Sequence, residues 1–234
     1  MCIRDSTTPF VGARYETMKM PSGRIENYPM VELSEAFDKD PQEKIIYLGG
    51  MSRIRGLVEV VEAFSIVAKK HPRWELHLVG SSRPASFEQE LKDLARRQGV
   101  ATNVKFTAWV PYEEKERLSA QASMGLITYL PYANNTSCLP NKLFDYMLVG
   151  LPVVASNFPL YREIVEPHRC GLLVDPSRPD EIARAMEYLI EHPQEARDMG
   201  ENGRRAVFEK FNWTHESEKL LRIYETVLSD EGGK

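Results

Sequence analysis

Cysteine, long apolar runs and clustered basic residues are all scarce in this chain of 234 residues. Its three cysteines, Cys2, Cys138 and Cys170, are widely and unequally spaced, which excludes a disulfide framework and matches no metal-ligand pattern. Such cysteine usage is typical of a reducing compartment, so we expect a cytoplasmic protein. No apolar run approaches the roughly 20 residues of a transmembrane helix, and the first residues lack the apolar segment of a signal peptide.

The charges exclude some partners as well. Lys and Arg number 30 against 34 Asp and Glu, for a formal net charge of −4, and they are spread along the chain. A weakly acidic chain of this kind gives no reason to expect nucleic acid or an anionic membrane surface as the main partner. The histidines form no HxH or HxxxH pair, so no metal site is expected. They are His71, His77, His168, His192 and His215.

Short apolar runs alternate with helical patterns from Lys44 onward. The run KIIYLGG ends in glycines and predicts a buried strand, and the stretch 57–68 has the apolar spacing of a helix. The alternation continues with strands at 74–80, 103–110, 124–130, 152–156 and 171–175 and helices at 87–97, 111–122, 140–149 and 160–166. This order is typical of βαβ units, so the predicted fold is α/β, with a doubly wound, Rossmann-like parallel sheet of about six strands.

Beyond the last predicted strand the pattern is helical alone. Helices are predicted at 178–191, 194–210 and 214–229, with Ser177 and Thr214 as the caps of the first and the last. We therefore divide the chain into three parts. They are an irregular leader and linker at 1–43, whose opening MCIRDS fits nothing downstream, a Rossmann-like domain at 44–176, and a C-terminal helical extension at 177–234.

Ligands of such sheets bind outside the carboxyl ends of the strands, and the first loop there reads GGMSRIRG. Its glycines, Gly49, Gly50 and Gly56, lack the GxGxxG spacing, and the second strand ends without the carboxylate that holds the ribose of a nicotinamide dinucleotide. Arg53 and Arg55 stand instead at the entry to a helix, where free backbone N–H groups favour an anion. A pair of solvated surface arginines would show the same pattern.

The loop YLPYANNTSCLPN leads into the predicted helix 140–149, whose first position suits Pro140. Helical spacing puts Asn141, Lys142 and Asp145 on one side. An apolar stripe faces the sheet from the other side, formed by Leu139, Leu143, Phe144, Met147 and Leu148. A lysine at a helix mouth suits phosphate, and a carboxylate one turn deeper suits ribose hydroxyls. An ordinary amphipathic helix with a polar, solvated face would have the same spacing.

Cys138 lies near the same helix end and is a weak candidate for a nucleophile. A helix N-terminus lowers the pKa of a thiol, but no histidine lies near Cys138 in the sequence to act as its base. We therefore do not expect nucleophilic catalysis.

The most distinctive stretches of the chain are IIYLGGMSRIRGLVEVVEAF, LPNKLFDYMLVGLPVVAS and CGLLVDPSRPDEIARAMEYL, in that order. Together they resemble the C-terminal half of retaining glycosyltransferases of family 4, which have the GT-B fold, and most closely those of bacterial surface polysaccharides. The likeness runs from about Asn27 to about Leu228, and NYP at 27–29 resembles the hinge before the second domain. The resemblance implies that the chain is one half of a GT-B fold.

The resemblance also implies a donor site for a nucleotide-diphosphate sugar, with UDP favoured as the nucleotide and no other cofactor. In the family a basic residue before a glycine holds the diphosphate, and Arg55 matches it. A second arginine usually occupies the position of Gly50, so its role is vacant or passes to Arg53. The implied catalytic residues are Arg55 and Lys142.

Two acidic positions of the family fall on Ser137 and Asp145. The second position binds ribose, and Asp145 keeps the carboxylate. The first position contacts the donor sugar, where Ser137 has no charge, which leaves the identity of the sugar open. Backbone N–H groups after the first position hold the phosphates, and Lys142 would add to them. The implied groups are those of Cys138, Leu139 and Asn141.

The implied reaction retains the anomeric configuration without a metal, because arginine, lysine and a helix end stabilise the leaving diphosphate. An N-terminal domain that is largely absent would bind the acceptor, a saccharide or a lipid-linked acceptor, so we expect donor binding with little or no transfer. In the family the last helix braces that domain, and the whole enzyme would work at the inner membrane face. The apolar stripe of this helix would be partly exposed: Leu220, Leu221, Tyr224, Val227 and Leu228.

Two other functions stay open. One is a non-catalytic nucleotide-binding or assembly module, which the missing carboxylate at Ser137 favours. The other is a nucleotide-sugar epimerase of the same fold, for which the chain carries no catalytic motif. The sequence leaves the donor sugar, the acceptor, the linkage and the oligomeric state undetermined.

Overall fold

The computed structural model describes residues 5–6, 23–31 and 41–231. Cys2 and most of the predicted leader lie outside the described residues. Two short strands, β1 (Asp5–Ser6) and β2 (Gly23–Arg24), pair in parallel. None of the helices in the described ranges is long and apolar enough to cross a membrane.

Six strands form the main sheet, and all of its pairings are parallel. Their order across the sheet is β5-β4-β3-β6-β7-β8. The strands are β3 (Lys44–Leu48), β4 (Glu75–Val79), β5 (Val104–Thr107), β6 (Met124–Ile127), β7 (Val153–Ser156) and β8 (Gly171–Val174). Every residue of β6 and β7 is buried, as a sheet covered on both faces requires. The predicted fold class is confirmed.

The helices alternate with the strands and then follow them. Those of the described residues are α1 (Leu57–Lys70), α2 (Ser86–Arg97), α3 (Tyr112–Ala120), α4 (Ala133–Thr136), α5 (Asn141–Leu148), α6 (Pro159–His168), α7 (Pro179–Glu191), α8 (Pro193–Glu209) and α9 (Trp213–Glu231). A 3₁₀ turn, Arg53–Arg55, precedes α1. Helix α1 packs against both α2 and α7, and α5 packs against α8. The C-terminal helices α7 and α8 therefore contact the helices that cover the sheet.

Both predicted helix caps are wrong. Helix α7 begins at Pro179, one residue later than predicted, and the Ser177 hydroxyl donates to Asp175 Oδ1 at 2.5 Å instead of capping the helix. Thr214 lies inside the first turn of α9, and Asn212 takes the capping role, because its Oδ1 accepts a hydrogen bond of 3.3 Å from the backbone N–H of His215. The residue at the cap is therefore Arg178 in α7 and Asn212 in α9.

Two further boundaries near the ligand edge of the sheet differ from the prediction. Strand β5 ends at Thr107, so Trp109 and Val110 belong to the loop that follows it. The short helix α4 lies in a stretch that was predicted to be loop. Both differences concern the segments that follow strands, where hydrophobic periodicity carries little information.

The stretch before the sheet is held against helices α5 and α9. The buried Glu216 carboxylate accepts a hydrogen bond of 2.9 Å from the backbone N–H of Glu26. The Tyr28 ring packs edge-on against Phe144, with centroids 4.7 Å apart, and against Phe211 at 5.5 Å. The predicted hinge region is therefore in direct contact with the helix that carries Lys142 and Asp145.

The strand order reverses between β3 and β6, and the two strands separate there. Only Ile45 with Met124 and Ile46 with Gly125 are paired. Beyond these pairs the Tyr146 hydroxyl of α5 accepts a hydrogen bond of 2.9 Å from the backbone N–H of Leu48. A crevice between strands at such a reversal is where doubly wound sheets bind ligands, so α5 is fixed at the edge of the expected binding position.

Candidate functional site

The loops after β3 and β4 touch each other at two glycines. Gly49 has φ +121° and Gly80 has φ +143°, a conformation that side-chain-bearing residues rarely adopt. A Cβ atom on Gly80 would lie 2.0 Å from the Gly49 carbonyl oxygen. These glycines let the two loops meet, and Gly50, the predicted donor-binding glycine, lies exposed beside them. The Gly50 carbonyl accepts a hydrogen bond of 2.8 Å from the Tyr47 hydroxyl.

Arg55 is held at the start of α1 by contacts from two other loops. Gly56, at φ +71°, lets the turn pack so closely that a Cβ there would lie 1.9 Å from the Thr128 carbonyl oxygen. The Arg55 guanidinium lies over the Tyr129 ring, 4.0 Å from its centroid, and Nη1 donates to Asn135 Oδ1 at 3.3 Å. No carboxylate pairs with Arg55 in the part of the chain that the structure describes.

Asn135 sets the direction of that contact. Its side chain is fully buried, and its Nδ2 donates two hydrogen bonds of 2.9 Å, to the carbonyls of Ile54 and Leu130. Because both amide protons are used, Oδ1 must face Arg55. No sequence motif indicates such a role, since Asn135 lies far from Arg55 in the chain.

Arg53 is not part of this cluster. Its Nη2 forms an ion pair with Glu90 Oε1 of α2 at 2.5 Å, and its side chain is 64% exposed. The guanidinium also lies 5.8 Å from the Phe87 ring of the same helix. The two arginines of the loop therefore have different environments, and the solvated alternative describes Arg53 but not Arg55.

Lys142 does not lie on a polar outer face, which corrects the predicted arrangement of α5. Its side chain is buried, together with Leu143, Phe144 and Tyr146. Its Nζ lies 3.6 Å from the Tyr47 ring centroid and 5.2 Å from that of Tyr129. The physical reason is that α5 is enclosed by the sheet and by α8, so only its Asn141 end and Asp145 retain access to solvent.

The Lys142 amine has no hydrogen-bond partner within residues 5–6, 23–31 and 41–231, although its nitrogen is inaccessible to solvent. Burial lowers the pKa of Lys142 well below its usual value, and the nearby Arg55 charge lowers it further. The Tyr47 ring face favours the charged form by about 0.5–2 kcal/mol. Removing an ion from water costs several kcal/mol, so burial outweighs the ring contact and the pKa of Lys142 is lowered.

Asp145 lies one turn further along α5 and is partly buried. Its Oδ1 accepts a hydrogen bond of 3.4 Å from the Tyr112 hydroxyl of α3. Burial raises the pKa of Asp145 to about 6, while Lys115, Tyr112 and Lys142 oppose that change. The carboxylate is therefore mostly ionised at neutral pH and can accept hydrogen bonds from a ligand.

A cleft of about 360 Å³ opens beside Gly49, between the loops that follow β3, β4 and β5. Its lining includes the exposed cation Arg83, the half-buried Lys115 and the Trp109 indole, which is 65% exposed. No carboxylate pairs with Arg83 or Lys115 in the described ranges. The cleft thus joins a flat aromatic surface to positive charge. Arg83 follows a predicted strand, which was the available signal for it, whereas Trp109 lies in the predicted strand 103–110 and Lys115 in the predicted helix 111–122.

The short segment between α4 and α5 uses its side chains internally. The Ser137 hydroxyl donates to the Ala133 carbonyl at 2.7 Å, and the Cys138 thiol donates to the Asn134 carbonyl at 2.8 Å. Burial raises the pKa of Cys138, which is opposite to the lowering expected from a helix end. An un-ionised thiol is a poor nucleophile, in agreement with the expectation that Cys138 is not catalytic.

The backbone at the start of α5 is available to a ligand. Pro140 immediately precedes the helix rather than beginning it. Half-buried Leu139 and exposed Asn141 flank it, and no backbone acceptor for the N–H groups of Leu139, Asn141 or Lys142 is found in the described part of the chain. Free N–H groups at a helix start attract anions.

The geometry therefore brings Arg55, Lys142 and the start of α5 together around two tyrosine rings, at the carboxyl edge of a parallel sheet. A doubly wound α/β protein with such residues at the reversal of its strand order is of the Rossmann-like class, which binds ligands at this position. The family model described as Glycosyl transferases group 1 matches residues 32–206. The chain belongs to this family.

Individual proteins are similar to this chain in sequence or in fold. The D-inositol 3-phosphate glycosyltransferase of Corynebacterium kroppenstedtii is 29% identical over 192 residues, which are 79% of this chain and 40% of that protein. Sucrose-phosphate synthase from Thermosynechococcus elongatus is 22% identical with a TM-score of 0.77, covering 97% of this chain and 58% of its own. HepE from Anabaena, in complex with UDP, is 18% identical with a TM-score of 0.76, covering 88% and 57%. The chain spans about two fifths of this curated relative.

Proposed function

We propose that the chain is the donor-binding half of a retaining, family 4 glycosyltransferase and that it binds a nucleotide-diphosphate sugar, with UDP as the nucleotide. The observation that carries the proposal is that Arg55 and Lys142 lie close to the same tyrosine ring, Tyr129. Both side chains lie over the Tyr129 ring, Arg55 at 4.0 Å and Lys142 at 5.2 Å from its centroid, and neither has a carboxylate partner among the described residues, so an anion bound there would be within reach of both. Membership of the glycosyl transferases group 1 family makes the donor diphosphate the natural candidate.

The diphosphate is assigned to the space between Arg55 and the start of α5. A guanidinium held by Asn135 and Tyr129 offers two parallel donors to phosphate oxygens. The free N–H groups of Leu139 and Asn141 and the positive end of the helix dipole add to this charge. Gly49 leaves room for phosphate oxygens because it presents no side chain.

The nucleoside is assigned to the neighbouring cleft. Asp145 accepts hydrogen bonds from the ribose hydroxyls, which compete with the hydrogen bond that it accepts from the Tyr112 hydroxyl in the free protein. The cleft beside Trp109 has room for a base and an aromatic surface for it to contact. UDP is preferred over GDP because the structurally similar HepE was crystallised with UDP.

In the proposed reaction the leaving diphosphate develops negative charge as the bond to the sugar breaks. We assign the stabilisation of that charge to Arg55, Lys142 and the end of α5, which lowers the barrier. The departing diphosphate helps to deprotonate the acceptor hydroxyl, which attacks on the same face of the sugar. No protein carboxylate is assigned a covalent role.

The acceptor, a saccharide or a lipid-linked acceptor, is assigned to a domain that the 40% coverage of the curated relative leaves unmatched. Helix α9 offers a contact surface for such a domain. Leu221 is 60% exposed, Tyr224 43% and Leu228 64%, and they lie on one side of the helix. We propose a cytoplasmic enzyme that works at the inner membrane face once this domain is present.

A non-catalytic nucleotide-binding module is the second candidate. The observation in its favour is Ser137, which carries no charge where the family has a carboxylate and whose hydroxyl is already bonded to Ala133. Such a module would bind the nucleotide at the same site. It would not transfer sugar when an N-terminal acceptor domain is restored.

A thermal-shift titration with UDP, GDP and NAD tests the proposed binding. A ligand at about 100 times its dissociation constant should add roughly 2.7 kcal/mol of apparent stability. We expect UDP to stabilise the chain and NAD to have no effect, with the UDP effect reduced in Arg55→Ala and in Asp145→Ala. The matched control is Arg53→Ala, which removes a neighbouring arginine that points towards α2. Equal loss in the control, or no stabilisation by either diphosphate, would contradict the proposal.

A further inference from the structure

The Lys142 amine is a basic group that is buried without a hydrogen-bond partner in the described residues. Its nitrogen is inaccessible to solvent and has no hydrogen-bond partner among the residues that the structure describes. Buried ammonium groups normally pair with a carboxylate or several carbonyl oxygens, because an isolated charge is costly to remove from water. The position of Lys142 therefore favours the amine without its extra proton as long as the site is empty of an anion.

The charges that face Lys142 from the neighbouring elements also favour the uncharged amine. Arg55 approaches from the turn before α1 and Lys115 from α3, and both are cations. Tyr47 of β3 and Tyr129 after β6 present ring faces, and burial raises the pKa of both hydroxyls, so neither is anionic near neutral pH. Among the described residues, Asp145 on the same helix is the one carboxylate that acts on Lys142, and it accepts a hydrogen bond from Tyr112.

We propose that Lys142 is an uncharged amine in the free protein and takes up one proton when a nucleoside diphosphate binds. The inference rests on the proposed function and deepens it, because it assigns a protonation step to the same site. The proton comes from solvent and forms an N–H bond at Nζ, and no other bond is made or broken. The ammonium that results donates to a phosphate oxygen, which supplies the partner that Lys142 lacks in the free protein.

Proton uptake makes the affinity dependent on pH in a definite direction. Burial places the pKa of Lys142 well below its usual value in the free protein, and the diphosphate raises it in the complex. Between these two values the affinity falls as the pH rises, by at most about tenfold per pH unit for one proton. Below the lower value the amine is already charged, and the affinity no longer changes for this reason.

The charge of the free protein can be measured directly. The Cε and Nζ resonances of isotopically labelled lysine report the protonation state, and Lys142→Arg identifies the signal by removing it. We expect the Lys142 signal of the free protein to be that of an uncharged amine at about pH 8, where exposed lysines are charged. A signal that titrates with the exposed lysines would overturn the inference whatever the ligand does.

Calorimetry with UDP then measures the proton. The titration is made in two buffers of different ionisation enthalpy at about pH 8, where a phosphate whose second pKa is about 6 is already ionised. We expect proton uptake that approaches one per UDP bound. Lys142→Arg should bind with none, because arginine is always charged, and Lys142→Met should bind more weakly, also with none.

The outcomes separate this inference from the proposed function. UDP binding without proton uptake in the unmodified chain would overturn the inference and leave the donor site standing. Absence of UDP binding would overturn both. Uptake that persists in both Lys142 variants would place the proton elsewhere and would also overturn the inference.

Discussion

The hydroxyl group of Tyr146 accepts a hydrogen bond of 2.9 Å from the backbone N–H of Leu48, across the gap where β3 and β6 separate. This bond replaces a strand pairing that the crevice does not allow. It also fixes the rotation of α5 about its axis. Lys142 lies one turn before Tyr146 on the same side of the helix, so its direction is fixed as well. The position of the buried amine therefore depends on an anchor that is not itself in the site.

Removing the Tyr146 hydroxyl should destabilise the fold. In Tyr146→Phe the Leu48 N–H loses its acceptor in the core, and a buried donor without a partner costs about 1–3 kcal/mol. Chemical denaturation measures the change. The control is Tyr188→Phe, whose exposed hydroxyl bonds to Glu195 and whose loss should cost less than about 0.5 kcal/mol. Equal stability of the two variants would show that the Tyr146 bond is unimportant.

Two glycines with nearly the same backbone conformation should respond differently to alanine. Gly56 has φ +71° and Gly99 has φ +74°, so each variant suffers a strain of about 1–3 kcal/mol. A Cβ on Gly99 meets nothing within 4 Å, whereas one on Gly56 lies 1.9 Å from the Thr128 carbonyl oxygen. We expect Gly56→Ala to lose clearly more free energy of unfolding, and UDP affinity as well, because the turn that carries Arg55 must move. Losses of the same size would argue against the close contact.

The geometry around Arg55 predicts that lysine cannot replace it. Arg55→Lys keeps the positive charge but loses the flat contact with Tyr129 and the parallel donors of a guanidinium. Hydrogen bonds to charged groups contribute about 1.5–3 kcal/mol, so we expect UDP affinity to fall by tenfold or more. Calorimetric titration measures it. Arg53→Lys is the control and should bind UDP as the unmodified chain does, since Arg53 pairs with Glu90; a similar loss there would contradict the assignment.

The Asp145 carboxylate should lower the free energy of unfolding, although it is expected to contribute to UDP binding. Burial raises its pKa to about 6 from an ordinary value of 3.8, so the folded protein holds the proton more tightly than the unfolded chain. The destabilisation is therefore full above pH 6, decreases as the pH falls between these values, and vanishes below them. At about 1.36 kcal/mol per pKa unit, Asp145→Asn should gain up to about 3 kcal/mol near pH 7.

Denaturation of Asp145→Asn at neutral and at acid pH tests this sign. The gain should shrink at the lower pH, and UDP affinity should fall because an amide is a weaker acceptor than a carboxylate. The exposed Glu163, for which Glu163→Gln changes the same charge away from the site, should show no pH-dependent gain. A destabilised Asp145→Asn at neutral pH would contradict the raised pKa.

The architecture could be predicted because burial on both faces of a parallel sheet demands continuous apolar strands, as in β6 and β7. Helix ends were less accurate: the cap lies one residue after Ser177 in α7 and two residues before Thr214 in α9, because Pro179 and Asn212 decided where the helices begin. Such local competition between neighbouring polar residues is not resolved by hydrophobic periodicity.

The candidate site was predictable only in part. Arg55, Lys142 and Asp145 were indicated by motif and by position at helix starts, and their roles in donor binding remain predictions. Asn135 and the Tyr47 ring were not indicated, because they lie in different elements and act only through contact.

The sequence by itself determined that this chain is a doubly wound α/β protein with basic residues at the ligand edge of its sheet, since strand order and loop position follow from local patterns. Only the tertiary structure decided which of those residues meet. Helix α5 is covered both by the sheet and by α8, so Lys142 is buried rather than solvated. The pairing of Arg53 with Glu90, in turn, removes that arginine from the site. Burial and partner choice depend on neighbours that are distant in the chain, and these neighbours set the charge of the site.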